Sequence, residues 1–347
     1  MQKFFHKKIL DVTAPLLIIL TLLLLSGVGA SDGIYEYFYD ESALGYESDN
    51  ESAENLDGDS EPITIMAEGD CPGSLEGSNS SLSPCQITNC ESLQNVSGMP
   101  YNYYALENDV DCINTSKSLS LWDGDGFDPL NFSGTFYGNN KTISNLFINR
   151  STQNSVGLFG SANGASIQSV GLDNATIYGN SRVGALVGYA NGTDITSSYS
   201  EGSVSGSSNV GGLVGYMDFS SSIGDSYFEG DSSGTSEIGC LLGYSDHSSS
   251  ISQSYASGTV SGSDKVGGLV GELLSGAVDD SFSVCSVAGT TNEGGLAGSN
   301  TGTITNSYWY NRSEGLDCYP GGNTGCTAKG QDSYFKSDVF PDDAPMS

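Results

Sequence analysis

Histidine is almost absent from this chain of 347 residues, which contains only His6 and His247. A zinc peptidase of the H-E-x-x-H type needs two imidazoles one helical turn apart, so that class is excluded. The eight cysteines include no C-x-x-C pair, and a structural zinc site is therefore not expected. We also expect no G-x-S-x-G nucleophile elbow, and we predict that the chain is not an enzyme.

Basic residues are scarce as well. The chain has 11 Lys and Arg against 42 Asp and Glu, which gives a formal net charge of −31. Such a surface repels phosphate backbones, so nucleic acid is excluded as a partner. The same charge keeps the protein soluble and suits a high-salt medium.

Long hydrophobic runs are confined to the start of the chain. Three lysines precede an apolar run at 14–25, and small residues follow up to Ala30. This layout predicts a secretory signal peptide at 1–30 and an extracellular or cell-surface location. An uncleaved signal is the alternative, because residues 12–29 are just long enough to span a membrane. It is the one membrane contact that we expect.

Export changes the interpretation of the cysteines. An even number of cysteines outside the cytosol indicates disulfides. We predict two local pairs, which are Cys90 with Cys112 and Cys318 with Cys326. Cys240 and Cys285 fit either a bridge or small core residues.

Composition divides the remainder of the chain. Residues 31–70 hold thirteen acidic residues and no Lys or Arg, so 31–89 is predicted to be an acidic, mostly disordered spacer. An N-terminal cap and a first coil follow at 90–150, with a short helix in CESLQNV and a strand in NYYALENDVDC. Repeats occupy 151–312, and a Cys/Gly-rich loop and tail occupies 313–347.

Glycine is abundant, with 47 residues, and much of it recurs in one short motif. The motif appears six times, as GLFG, ALVG, GLVG, CLLG, GLVG and GLAG, and its last glycine advances by 27 or 28 residues from Gly160 to Gly298. A second element, such as ITSSY or IGDSY, follows five of the copies. A fixed period of this length marks stacked supersecondary units, and β-branched pieces between Gly, Ser and Asn turns are typical of short strands.

Stacking these units aligns equivalent side chains in ladders. Adjacent residues on a strand point to opposite faces, so we assign leucines such as Leu186 to the core and their neighbours, such as Val187, to the outside or a turn. Isoleucines equivalent to Ile195 form a second ladder. Aromatic residues from Tyr199 to Tyr308 form a third, which is a core or surface ladder, or stacks sugars where it faces out. We predict an all-β fold, a right-handed parallel β-helix (β-solenoid) of about six to seven coils with an N-terminal capping segment.

At these residues the sequence resembles the GLUG-repeat family, over roughly 155–310. The resemblance implies a secreted, adhesin-like β-helix protein. We therefore expect an exported module for adhesion, binding or structure, whose partner outside the cell is a surface, a glycan or a protein. A carbohydrate-active β-helix enzyme, either a polysaccharide lyase or a hydrolase, and a ligand-free envelope stalk are the alternatives.

Two carboxylates occupy one position in different repeats. Asp225 and Asp280 are two coils apart, which corresponds to roughly 10 Å, and Gln253 lies between them. We interpret this column as solvated polar residues rather than as a catalytic pair.

A second acidic group lies in WDGDGFD. Asp123, Asp125 and Asp128 are candidates for a calcium site, with an ordinary acidic turn as the alternative. An EF-hand loop that began at Asp123 would have Gly134 at its twelfth position, where an acidic ligand is needed. We expect no other cofactor.

Ten Asn-x-Ser/Thr sequons occur in the chain. They are glycosylation candidates where the host modifies such sites. Outside the predicted spacer they are Asn95, Asn114, Asn131, Asn140, Asn149, Asn174, Asn191 and Asn311.

Overall fold

Parallel β-strands dominate the structure. The computed structural model describes residues 71–72, 75–98, 100–117, 122, 124–310 and 316–329. Its strands form three sheets, and equivalent strands of successive coils pair in parallel, with register shifts in three of the N-terminal pairings. Val187 lies opposite Val214, for example, and Val214 lies opposite Leu242. The protein is an all-β parallel β-solenoid of about seven coils, as the repeats predicted.

Each coil contributes strands to these sheets. The 17 strands of the large sheet are Cys85–Ile87, Tyr103–Leu106, Val110–Asp111, Thr135–Ser144, Phe147–Asn149, Ser166–Tyr178, Asp194–Thr196, Tyr199–Ser205, Ser222–Gly224, Tyr227–Ser233, Ser250–Ser252, Tyr255–Ser261, Ala277–Asp279, Phe282–Ala288, Thr303–Thr305, Ser307–Tyr310 and Cys326–Lys329. The seven of the second sheet are Leu130–Phe132, Phe159–Asn163, Val187–Asn191, Val214–Asp218, Leu242–Ser245, Val270–Leu273 and Ala297–Asn300. The five of the third sheet are Ser181–Val183, Ser208–Gly211, Ser236–Gly239, Asp264–Gly267 and Thr291–Gly294.

A short α-helix, Cys90–Gln94, lies at the N-terminal end of the solenoid, where CESLQNV predicted one. Its N-cap Asn89 accepts a hydrogen bond from the Ser92 backbone, and the Ser92 hydroxyl accepts one in return, which satisfies two otherwise free N–H groups. Two 3₁₀ helices follow at Asn95–Gly98 and Ile113–Ser116. None of the helices in the described residues has the length and apolar character needed to cross a membrane.

Sheet pairing begins earlier than the boundary predicted at residue 90. The strand Cys85–Ile87 pairs in parallel with Tyr103–Leu106. It lies within the stretch assigned to the acidic spacer. The cap therefore includes residues on both sides of the short helix.

The interior of the coils corrects one prediction. Leu186 and Val187 are both fully buried, although neighbouring strand residues were expected to face opposite ways. Leu186 lies in a bend between the strands Ser181–Val183 and Val187–Asn191. Because the chain turns there, the alternation of an extended strand does not apply, and both side chains enter the core. The same holds for the other copies, which are Leu213 with Val214, Leu241 with Leu242, Leu269 with Val270, and Leu296 with Ala297.

Two glycines at the first position of the motif pack against large aromatic side chains. A Cβ atom at Gly212 would lie 2.2 Å from the Phe228 ring, and one at Gly295 would lie 2.0 Å from the Trp309 ring. Both aromatic side chains are buried. Glycine at these positions therefore makes room for a large core residue.

A ladder of buried serines connects the coils. Each of these serines is at most 1% exposed and accepts a hydrogen bond from a backbone N–H of the preceding coil. Each hydroxyl also donates to the carbonyl two residues earlier in its own chain segment. The five residues, which we call the serine ladder, are Ser198, Ser226, Ser254, Ser281 and Ser307. They explain the constant serine before the aromatic residue in ITSSY and IGDSY.

The C-terminal end is closed by residues 316–329. The Cys318 carbonyl accepts hydrogen bonds from the backbones of Leu296 and Ala297, both at 2.9 Å. The strand Cys326–Lys329 pairs in parallel with Ser307–Tyr310. This part of the predicted loop and tail is thus a cap that continues the hydrogen bonding of the solenoid.

Candidate binding surface

An aromatic ladder follows the outer face of the large sheet. The rings of Tyr199, Tyr227, Tyr255 and Phe282 stack with centroid distances of 4.9, 4.8 and 5.0 Å and interplanar angles of 3°, 8° and 2°. All four side chains are half-buried. The ladder lies on the surface, as one of the predicted alternatives stated.

Stacking decides what this ladder can do. Each interior ring has a neighbouring ring on both faces, so only its edge and hydroxyl reach solvent. At the C-terminal end the Lys329 ammonium lies 4.4 Å from the centroid of Tyr308, within the range of a cation–π contact. The ladder therefore offers no free π-face along its middle for a sugar, and we interpret it as a structural ladder between coils.

A second tyrosine column lies on the second sheet. Tyr189, Tyr216 and Tyr244 occupy one position in three successive coils. The Arg182 guanidinium lies 5.0 Å from the Tyr189 ring and 5.6 Å from the Tyr216 ring. Because a cation is attracted to a π-face, these contacts cover one end of the column.

The next coil replaces the tyrosine with a charge. Glu272 takes the position after Tyr244, and its carboxylate lies 2.6 Å from the Lys265 ammonium, which is also 3.3 Å from Glu237. Glu272 is 8% exposed, so its charge is paired where it is buried. The replacement of tyrosine by glutamate in this column is thus compensated by the ion pair with Lys265.

Burial alters the acidity of groups on both faces. Desolvation raises the pKa of Tyr216 and that of Tyr244 to about 12. Burial and then the charge of Glu229 raise the pKa of Tyr255. Burial, followed by repulsion from Glu229, also raises the pKa of Glu201. The tyrosine hydroxyls are therefore neutral at physiological pH.

The column of Asp225 and Asp280 is a turn position. Both aspartates are exposed and have left-handed backbone, with φ of 49° and 46°. Ser197, Gln253 and Asn306 have the same conformation, with φ of 50°, 49° and 45°. Polar residues with short side chains tolerate this conformation better than apolar ones. The column is explained by the corner that each coil makes.

Two members of the proposed calcium group lie in the described part of the chain. Asp125 and Asp128 are exposed, and Asp128 lies 3.3 Å from the Arg150 guanidinium. Asp123 is outside the described residues. Within those residues, no group of three or more His, Cys, Asp and Glu side chains is placed to hold a metal ion.

All eight cysteines form disulfides. The structure joins Cys90 to Cys112 and Cys318 to Cys326, the two pairs expected from the sequence. It also joins Cys71 to Cys85, and Cys240 to Cys285 across a separation of 45 residues. The last pair was left open because its members occupy different repeat positions. Both side chains point into the core, which only the folded coil reveals.

A buried serine lies in a sequence that matches the nucleophile-elbow motif but does not have the structure of an elbow. Contrary to the prediction, G-x-S-x-G does occur, at Gly230–Gly234. Ser232 lies within the strand Tyr227–Ser233 and is 1% exposed, with its hydroxyl 3.4 Å from the Cys240 carbonyl. A nucleophile elbow instead places an exposed serine on a strand-to-helix turn. Ser232 is a core residue.

Most of the predicted sequons are accessible. Six of the eight asparagines are exposed, which are Asn95, Asn114, Asn131, Asn140, Asn149 and Asn174. Asn191 is half-buried, and Asn311 lies outside the described residues. Their glycosylation stays a prediction.

The fold and its ladders define a class, a β-solenoid repeat protein. Residues 179–205 match the family model described as the GLUG motif, so the chain carries the motif that its repeats resemble. Halomucin of Haloquadratum walsbyi is 38% identical over 129 residues, a match that covers 34% of this chain and 1% of halomucin. The chain thus corresponds to a very small part of that relative.

Among solved structures, a candidate immunoglobulin A1 protease from Bacteroides ovatus is similar. The two chains superpose with a TM-score of 0.57 at 21% identity, over 74% of this chain and 79% of that one. Similarity at this level of identity shows a shared fold. It assigns no activity to the solenoid.

Proposed function

We propose that this chain is an exported repeat protein of the cell surface or the extracellular space, which acts as a binding or structural module in adhesion. The observation that supports this proposal is that each coil combines constant scaffold positions with variable corner positions. The motif, the serine ladder and the aromatic ladder all serve the scaffold, while residues at the coil corners differ from copy to copy.

Three further features support export and a surface role. Four disulfides suit an oxidising compartment outside the cytosol. A net charge of −31 favours solubility in the extracellular medium. Halomucin shares similar sequence over 129 residues. In this proposal the predicted signal at 1–30 directs export, and the part of the predicted spacer that precedes the Cys71–Cys85 disulfide holds the solenoid away from its attachment point.

The proposal assigns the chain no catalysis. Asp225 and Asp280 serve the corners, and Ser232 is inside the core. A polysaccharide-degrading activity remains the alternative to be tested. Turnover of a glycan that is abolished by Asp225→Ala or Asp280→Ala would support the enzyme instead.

The deciding experiment combines localisation with binding. The full chain is expressed in its host, cells are fractionated, and the N-terminus of the mature protein is sequenced. The exported protein is then screened against glycans, matrix proteins and cells. We expect it outside the cell, with a new N-terminus near residue 31 and a saturable ligand. Retention inside the cell contradicts export, and export without any ligand favours the stalk.

A further inference from the structure

One corner of the solenoid projects aromatic side chains in an unusual backbone conformation. Phe219 and Ser220 have φ of 47° and 60°, and His247 and Ser248, in the next coil, have φ of 46° and 63°. Positive φ is rare for a bulky residue and is retained where surrounding structure imposes it, often at functional sites. This corner lies between the second sheet and the large sheet, and we call it the aromatic corner.

The two coils concerned carry an extra residue here. Eight residues run from Tyr216 to Ile223, whereas seven run from the equivalent Tyr189 to Ile195. Preceding coils have glycines at this corner, Gly164 and Gly192, with φ of 60° and 59°. The corner thus changes from a bare glycine to a projecting ring.

Phe219 is stacked on one face only. Its ring lies 4.9 Å from that of His247, with an interplanar angle of 8°. Because His247 belongs to the following coil, the other face of Phe219 points toward the preceding coil, where Gly192 has no side chain to cover it. A Cβ atom at Gly164, one coil further, would meet nothing within 4 Å. Phe219 is 57% exposed.

Two carboxylates of the protein hold the His247 ring of the stack. The His247 Nδ1 lies 2.6 Å from Asp218 Oδ1 and 3.4 Å from Asp246 Oδ2. Asp218 is mostly buried, and its other oxygen accepts a hydrogen bond from the Tyr189 hydroxyl at 3.1 Å. A pre-oriented ring costs little entropy when a ligand binds.

Two asparagines lie in the coils that precede Phe219. Asn163 and Asn191 lie opposite each other in the two preceding coils, and the Asn191 amide donates to Asn163 Oδ1 at 3.4 Å. Asn191 is opposite Asp218, the residue that precedes Phe219 in the chain. Sites that orient a small ring typically combine an aromatic surface with a small number of polar groups. The carboxylates nearby disfavour anionic ligands.

We propose that the aromatic corner binds a pyranose ring of a neutral or amino sugar, with its apolar C–H face on the free face of Phe219 and its hydroxyls on Asn163 and Asn191. This inference rests on the proposed binding function and names its ligand class. The aromatic ladder of the large sheet lacks this property, because its interior rings are covered on both faces.

The test uses the full mature chain made in a host without N-glycosylation, so that Asn191 is unmodified. A glycan array selects a neutral or amino-sugar ligand, and isothermal titration measures its affinity for wild type, Phe219→Gly, His247→Asn and Tyr178→Ala. Tyr178 is an aromatic control, 41% exposed and on the large sheet. We expect at least a tenfold loss for Phe219→Gly, a smaller loss for His247→Asn and none for Tyr178→Ala.

Stability is measured on the same variants. Glycine accommodates φ near 47° without strain, so the melting temperature of Phe219→Gly should equal or exceed that of wild type while binding is lost. Equal sugar affinity of Phe219→Gly and wild type overturns the inference. Wild type that binds cells or proteins but no sugar also overturns it and leaves the proposed function intact. Wild type that binds nothing contradicts both.

Discussion

Replacing Ser226 with alanine tests the serine ladder directly. In the native structure its hydroxyl accepts a hydrogen bond from the Ser198 backbone N–H at 3.1 Å and donates to the Gly224 carbonyl at 2.7 Å. The side chain is 1% exposed. Alanine therefore removes the acceptor for the Ser198 N–H at a site that water does not reach.

The expected cost follows from the buried N–H group. A buried donor left without a partner costs about 1–3 kcal/mol, so we expect Ser226→Ala to lower the free energy of unfolding by about that amount. For a folded unit of this size the corresponding fall in melting temperature is about 2–4 °C per kcal/mol. Because stacked coils interact mainly with their neighbours, the loss should be concentrated around the coils that contain Ser198 and Ser226.

The assay combines urea unfolding with hydrogen exchange. Unfolding gives the change in free energy, and exchange of the Ser198 amide shows whether its protection is lost locally. Ser252→Ala is the matched control, since Ser252 is half-exposed on the adjacent short strand. Its substitution should change stability by less than about 0.5 kcal/mol. A Ser226→Ala variant as stable as this control, with the Ser198 amide still protected, would refute the role assigned to the ladder.

Three other predictions concern the scaffold. A Cβ atom at Gly243 would lie 2.5 Å from backbone atoms of the preceding coil, so Gly243→Ala should lower the free energy of unfolding in urea by about 1–3 kcal/mol. Gly224→Ala is the control, because its Cβ would meet nothing closer than 3.6 Å and the change should be nearly neutral. Equal effects of the two substitutions would contradict the close packing at Gly243. Replacing Cys240 and Cys285 with serine opens a loop of 45 residues and should remove up to about 4 kcal/mol by loop-closure entropy. The melting temperature of the variant, measured without reductant, should therefore be lower than that of wild type, and an unchanged melting temperature would argue against the bridge. The pKa of Tyr216 is raised to about 12 in the folded protein, above about 10 in an unfolded chain, so the stability that its protonation contributes is present below pH 10 and is lost as the pH rises from 10 towards 12. Alkaline titration followed by tyrosinate absorbance and circular dichroism measures ionisation and unfolding together. Full ionisation of Tyr216 at pH 10 without unfolding would contradict the prediction.

The architecture was predictable because its signals are local and repeated. The spacing from Gly160 to Gly298 fixed the length of a coil, and the isoleucines equivalent to Ile195 marked a buried position. Each coil has the same neighbours above and below, so one period specifies the whole stack. The parallel solenoid and its approximate number of coils are confirmed.

Side-chain direction was less predictable where the chain bends. Alternation assigned Val187 to the outside or a turn, whereas a bend at Leu186 directs both residues inward. The bridge from Cys240 to Cys285 is of the same kind, because it crosses the core between positions that are not equivalent in the repeat. Sequence periodicity compares equivalent positions and contains no information on which different positions face each other.

The features of the candidate sites also divide into those that the sequence predicts and those that depend on contacts between coils. Composition and period are enough to predict a cysteine pattern typical of secreted proteins, a solenoid, and the columns in which the copies differ. The folded coils were needed to show that Asp225 marks a corner with left-handed backbone, that Tyr227 is covered on both faces, and that Phe219 keeps one face free. Which face of a ring is free depends on whether the neighbouring coil places a ring or a glycine against it. That contact joins residues almost thirty positions apart, so it cannot be seen in the local sequence.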